Sequence, residues 1–395
     1  MLGPRQVGKT VLLLQVVDDL LEAGWPAQNI TYFDFSDDRL TKDQPIHPRD
    51  IVNMVPQGHL QDHPRALLFD EVRRAENWEL WLKNAVDAEV GRIAVTDSAA
   101  SLARRETVET GMGRWDEHRL EGLSFREFLG LVGMPGSAVE ETLQRIPNVT
   151  ERFLQLGGFP EHARSDDEAE VRARLRSAIV DKAILRDLLQ FGIEVERAKD
   201  LFVYLVQESG GIFVAKARAG DVDADPRTVG EWLRLLGETM LVVQLPRFTG
   251  RASVSLRSHP KIYAADHGII RAFASAPWSE EDLRWRVFEA AVFRHLRECA
   301  TTTGATLGYY RDSKGRSAVD FVFELEAGLT LIEVTSSARV DPRKLQSLRK
   351  VGALLKTDRL VLIHGGGSDE VRDDVQVMPL PRFLLNPEHW LGLDP

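Results

Sequence analysis

Gly3-Pro4-Arg5-Gln6-Val7-Gly8-Lys9-Thr10 is the stretch from which the rest of this chain is read. Its spacing, G-x-x-x-x-G-K-[ST], has a mechanical reason. Backbone N–H groups of the glycine turn cradle the α/β-phosphates of a nucleotide, Lys9 reaches the β/γ-phosphates, and the Thr10 hydroxyl ligates Mg²⁺. Gly3, Pro4, Arg5, Gln6, Val7 and Gly8 therefore form the expected cradle. Downstream, Val11, Leu12, Leu13, Leu14, Val16, Val17, Leu20 and Leu21 predict a helix packed on a sheet, stopped at Gly24. Upstream, such a loop normally hangs from a buried parallel strand. Met1-Leu2 is too short for one, so the expectation is a missing first strand: either the natural start lies upstream, or the chain lacks that strand and holds nucleotide poorly.

Working outward, helical segments alternate with short apolar runs at residues 30–35, 66–69 and 92–96, the pattern of a parallel α/β sheet. The second run ends in Asp70-Glu71. A buried strand delivering two acids at its C-terminal end suits Mg²⁺ binding through water by Asp70 and polarisation of the attacking water by Glu71. The competing reading is an N-cap pair opening the next helix. Thr96, ending the third run, is a candidate sensor of the γ-phosphate or a turn residue. Arg114 is a candidate phosphate-facing cation, in the same or a neighbouring subunit, or an ordinary surface arginine.

The 395 residues are 43% hydrophobic and 28% charged, enough for more than one core. A formal net charge of -10 argues against a large nonspecific nucleic-acid surface, while leaving room for a local basic patch. The single cysteine, Cys299, excludes an intrachain disulfide and a cysteine-cluster metal site, and fits a reducing cytoplasm. No apolar run approaches the ~20 residues that span a bilayer, so no membrane partner is expected.

Residues 150–270 read as mainly helical. Residues 175–189 predict a long amphipathic helix. After Pro226, residues 227–236 have the spacing of the second helix of a helix-turn-helix, followed by short strands at 240–245 and 254–257, with Gly250 near the turn: a winged helix. Its cations, Arg227 and Arg234, are few, so protein contact competes with DNA contact. The last part predicts a helix over 281–299, strands at 307–310, 319–325 and 330–334, a helix over 342–355 and a strand at 360–363. Glu289 falls on the first helix, while Asp320 begins one strand and Glu333 ends its neighbour. Arg339, Arg343, Lys344, Arg349 and Lys350 make a local basic surface or a solvated helix face. The expected partition is 1–132, 133–275 and 276–395.

Several of these stretches, with Asn77-Trp78-Glu79, residues 96–100, 123–128 and 157–161, Arg186-Asp187, Thr228-Val229 and Pro260-Lys261-Ile262-Tyr263, resemble prokaryotic AAA-type ATPases that carry a C-terminal domain of unknown function. The resemblance covers nearly the whole chain. It implies an ATP- and Mg²⁺-dependent P-loop core, a helical and winged-helix middle and a nuclease-like C-terminal fold. Where that family has Thr-Gly-Ser-Ser, this chain has Asp97 and Ala99, and an acid there should repel a triphosphate. The last part resembles PD-(D/E)xK nucleases, which implies that Glu289, Asp320 and Glu333 hold a metal and that a lysine stands two residues after the Glu. Thr335 occupies that position, which predicts weak or absent cleavage unless Lys344 brings its amine into the same space. The functional expectation is an ATPase whose nucleotide state repositions the other domains, in a DNA-linked process or on a protein partner or homo-oligomer. The alternatives are an ATP-gated nuclease and a nonhydrolysing scaffold.

Overall fold

A computed structural model describes residues 1–37, 46–54, 64–97, 114–134, 146–179, 184, 188, 193–250, 258–274, 278–366, 370–372 and 374–393. The chain forms two compact units: Met1–Glu121 with Glu238–Met240, and Gly122–Gly237 with Leu241–Pro395. Arg186, Asp187, residues 98–100 and the expected strand at 254–257 lie outside the described residues.

In the N-terminal unit, β1 (Ile30–Asp34), β2 (Ala66–Asp70) and β3 (Arg92–Val95) form a parallel sheet in that order. Period-two alternation along β2 serves two helical layers. Leu67 and Phe69 pack with Phe35, Ile51, Val52 and Val72 toward α2 (Pro48–Met54) and α3 (Trp78–Asp87), whereas Ala66 and Leu68 pack with Leu13 of α1 (Lys9–Glu22). All five residues of β2 are buried, so it is the central strand its unbroken apolar run implies.

Among the described residues no strand precedes the phosphate loop, as expected. Leu2 makes isolated bridges to Asp97 on one side and Arg119 on the other, both in parallel. The Met1 ammonium donates to Val95 O (2.7 Å), Asp97 N–H to Met1 O (3.1 Å), Leu2 N–H to His118 O (2.8 Å) and Leu120 N–H to Leu2 O (2.7 Å). These bonds fix the point from which the loop leaves.

The C-terminal unit begins with short helices, α4 (Phe125–Leu131), α5 (Ile146–Leu156) and α6 (Glu168–Ser177), followed by α7 (Val195–Gln207), α8 (Ala215–Arg218) and α9 (Pro226–Glu238). After α9, β4 (Val242–Leu245) pairs antiparallel with β5 (Lys261–Ala264). Then come α10 (His267–Phe273) and α11 (Glu280–Thr303), whose start is fixed by a Ser279/Asp282 capping box and whose end is Gly304 at φ 71. A six-stranded mixed sheet follows, built from β6 (Thr306–Arg311), β7 (Ala318–Leu325), β8 (Gly328–Thr335), β9 (Arg359–His364), β10 (Glu370–Arg372) and β11 (Val375–Pro379), in the order β10-β11-β9-β8-β7-β6. Between β8 and β9, which are parallel, α12 (Pro342–Leu355) makes the crossover.

One face of this sheet, with Val322, Leu331, Leu360 and Leu362, packs on Leu345, Leu348 and Val351 of α12. The other meets α11: the Phe293 ring stacks on Tyr263 of β5 at 4.1 Å and on Phe321 of β7 at 6.1 Å. β5, α11 and β7 thus share one aromatic stack, made by residues on both sides of 275/276. Among the described residues no helix is long and apolar enough to cross a membrane.

Candidate functional site

The C-terminal ends of Leu2, β2 and β3 lie along one edge of the N-terminal sheet, the edge where open α/β sheets place their ligands. The loop leaves Leu2 there. Gly3 has no room for a side chain: a Cβ would come within 2.5 Å of Leu120 O. Gly8 adopts φ 102, a left-handed conformation that suits glycine, and leads directly into α1. No side chain caps that helix, so its first-turn N–H groups face the loop without a side-chain partner.

Lys9 and Thr10 lie against the paired acids. Thr10 Oγ1 donates to Asp70 Oδ2 at 2.5 Å, and the Thr96 hydroxyl donates to the other oxygen of the same carboxylate. Thr96 Oγ1 also accepts from the Glu71 backbone N–H at 3.1 Å, so one hydroxyl fixes the Asp70 carboxylate and the backbone at Glu71. Glu71 sits at φ 50, where the chain turns sharply out of β2. The Lys9 ammonium is buried and donates to Gly3 O (2.9 Å) and Pro4 O (3.0 Å), with Glu71 Oε1 4.0 Å away. Burial lowers its pKa, partly opposed by Glu71. Tyr32 on β1 is pushed up to about 12 by burial and by Asp70.

Two expectations change. Asp97 is buried, but its Oδ1 lies 3.6 Å from Arg73 Nε, so its charge is countered. The repulsion inferred from the sequence is correspondingly reduced. Arg114 pairs with Asp87 at 2.8 Å. Asp87 ends α3, which runs back from the acid-bearing edge, so within this chain Arg114 stands at the opposite end of the sheet from the loop.

A second constellation lies in the C-terminal unit. Glu289 of α11, Asp320 of β7 and Glu333 of β8 converge, as their spacing suggested, but they converge on lysines. Lys261 Nζ is 3.2 Å from both Glu289 Oε1 and Asp320 Oδ1. Lys344 Nζ donates to Glu333 Oε1 and Val334 O, each at 2.7 Å, and lies 3.6 Å from Asp320 Oδ2. Tyr263 donates to Glu289 Oε1 at 2.5 Å, and Val334 N–H to Asp320 Oδ2 at 3.1 Å. Burial and Asp320 push Glu333 up to about 8. Burial would lower both lysines, but the carboxylates outweigh it and hold their pKa values above the usual range. Burial also raises Glu289, against the pull of Lys261, while Lys261 and Lys344 overcome burial to keep Asp320 low.

The Thr335 hydroxyl accepts from Ser337 N–H at 3.4 Å, and Lys344 occupies the space beside Glu333. In the sequence Lys261 stands out only within Pro260-Lys261-Ile262-Tyr263. Its signal was a lysine in an otherwise apolar strand, Lys261–Ala264, which asks for a buried partner. The expected basic face of α12 is reduced, because Lys344 is committed inward and Arg349 pairs with Asp374 at 2.7 Å.

Residues 1–129 match a family described as an AAA domain, residues 149–280 a domain of unknown function (DUF8612) and residues 286–383 another (DUF4143). The chain thus carries an AAA-type P-loop domain at its N-terminus, followed by two domains of unknown function. A domain of the first kind implies nucleotide binding, typically with Mg²⁺. An uncharacterized protein of Haemophilus influenzae is 24% identical over 279 residues, covering 68% of this chain and 67% of that one. Among solved structures, a RuvB mutant from Thermogota maritima shares 17% identity over 62% of this chain and 81% of its own, with a TM-score of 0.28, too low to bear on the fold.

Proposed function

We propose that the N-terminal unit binds ATP with Mg²⁺ and hydrolyses it, and that the nucleotide state alters the C-terminal unit. The observation that carries this reading is the contact of Thr10 with Asp70 at 2.5 Å, directly beside Lys9. It joins the two halves of a nucleotide site, which are separated by sixty residues of sequence.

Mg²⁺, when bound, offsets the charge of the phosphates, and the Thr10 hydroxyl and Asp70 are the groups that would hold it. Their fit is supported by donor chemistry: hard oxygens on two rigid elements, with Thr96 fixing the carboxylate. Lys9 holds only neutral carbonyls in the structure and exchanges them for phosphate oxygens, a stronger charge-assisted contact. The uncapped first turn of α1 adds backbone donors. Glu71, whose backbone N–H is held by Thr96, accepts the proton of the attacking water.

The test is ATP turnover by the full chain against Lys9→Ala and Glu71→Gln. A hydrolase loses turnover in both, while Glu71→Gln still binds nucleotide; a nonhydrolysing scaffold shows no turnover to lose. Nucleic acid as a partner is the finer part of this proposal, and adding DNA to the same assay tests it by whether turnover rises. Hydrogen exchange across residues 122–237 and 241–395, with and without nucleotide, tests the coupling.

A further inference from the structure

The acids of the C-terminal unit suggest a divalent cation, and the side chains around them do not fit one. Lys261 Nζ lies midway between Glu289 and Asp320, at 3.2 Å from each, where a shared cation would sit. Lys344 bridges Glu333 and Asp320 in the same manner. Among the described residues no group of three or more His, Cys, Asp or Glu side chains is arranged to hold a metal. Closure is not what keeps an ion out. A cleft of about 480 Å³, bordered by Gly210, Gly211, Lys261, Tyr309 and Asp320, reaches the lysine.

We propose that Lys261 takes the place of a divalent cation, making this cluster a metal-free ionic clasp that ties the β4–β5 hairpin to α11 and β7. Each partner comes from a different element: Lys261 from β5, Glu289 from α11, Asp320 from β7, Glu333 from β8 and Lys344 from α12. A tethered ammonium competes as an intramolecular ligand, at an effective concentration that a free ion must exceed. Glu289 offers more than the lysine takes: its Oε1 meets Lys261, while its Oε2 is buried with no hydrogen-bond partner. Removing Lys261 should therefore expose a pair of acids with an unmet demand for cation.

The experiment is thermal unfolding of the full, nucleotide-free chain across a Mn²⁺ titration. Wild type and Asp320→Asn should respond alike, showing that the cluster takes no metal. Lys261→Met should gain a Mn²⁺-dependent rise in Tm and a Mn²⁺ site roughly tenfold or more tighter than any in wild type. Both gains should vanish in Lys261→Met/Asp320→Asn. The phosphate-loop site is common to all four proteins and cancels in the comparison. A wild-type response that Asp320→Asn abolishes overturns the proposal, as does a folded Lys261→Met that gains nothing. Should Lys261→Met fail to fold, wild type against Asp320→Asn decides, with Glu289→Gln as the second acid variant.

Discussion

Lys9, buried, and Lys261, half-buried, both lie beside paired acids, yet their commitments differ. Lys9 spends its hydrogen bonds on the carbonyls of its own loop, and the nearest acid stands 4.0 Å off. Lys261 is held between two carboxylates at 3.2 Å. Carbonyl contacts are neutral and exchangeable for phosphate, whereas a buried ion pair strands two charges when broken. The acids differ likewise. Asp70 is gripped by the hydroxyls of Thr10 and Thr96, neutral groups that leave its negative charge uncancelled. Glu289 and Asp320 have theirs countered. The difference teaches that acid and lysine count does not define a site; what matters is whether the lysine's present partner is one a ligand can replace.

That contrast can be broken or sharpened experimentally. The largest effect should come from Glu71→Gln, with turnover falling about 10²–10⁴-fold while ATP binding persists, as expected for loss of a general base; single-turnover hydrolysis beside an equilibrium binding assay reads both. Lys261→Met should destabilise the C-terminal unit by about 3–5 kcal/mol in the absence of added metal, the cost of leaving one side of a buried ion pair unmatched; denaturant unfolding followed by hydrogen exchange within that unit measures it. Lys9→Ala should weaken nucleotide binding by roughly 10–100-fold, the worth of one charged hydrogen-bonding group, and leave the fold intact, because its carbonyl partners can take water. Equal destabilisation by the two lysine variants would erase the comparison.

Gly3→Ala should cost the N-terminal unit about 1–3 kcal/mol, since the new methyl meets backbone at Leu120 rather than a side chain that can turn away; its Tm and nucleotide affinity should fall together. Arg114→Ala is the smallest change: an exposed pair with Asp87 contributes at most about 1 kcal/mol, and turnover should not move. A turnover defect in Arg114→Ala restored by mixing with Glu71→Gln subunits would instead place that arginine at a neighbour's site.

The phosphate loop, the acid-ended strand and the order of helices and strands after residue 280 were legible because each is local. Glycine placement, apolar runs and capping residues act over a few positions, and physics at that range is written in the sequence itself. The apolar run of β2 and the acids that end it need no distant partner to be recognised. What the sequence could not convey was pairing at long range. Met1 and Leu2 are held by hydrogen bonds with Val95, Asp97, His118 and Leu120, far along the chain. β4 pairs with β5, which begins sixteen residues after it ends. Asp97 acquires Arg73, and Arg114 is drawn to Asp87. Above all, Glu289, Asp320 and Glu333 were identifiable as acids that meet, while the ammonium between them, from Lys261, arrives from a strand twenty-eight residues before the first of them. Composition sets which charges exist; only the folded chain, by excluding water and choosing neighbours, decides which charge answers which.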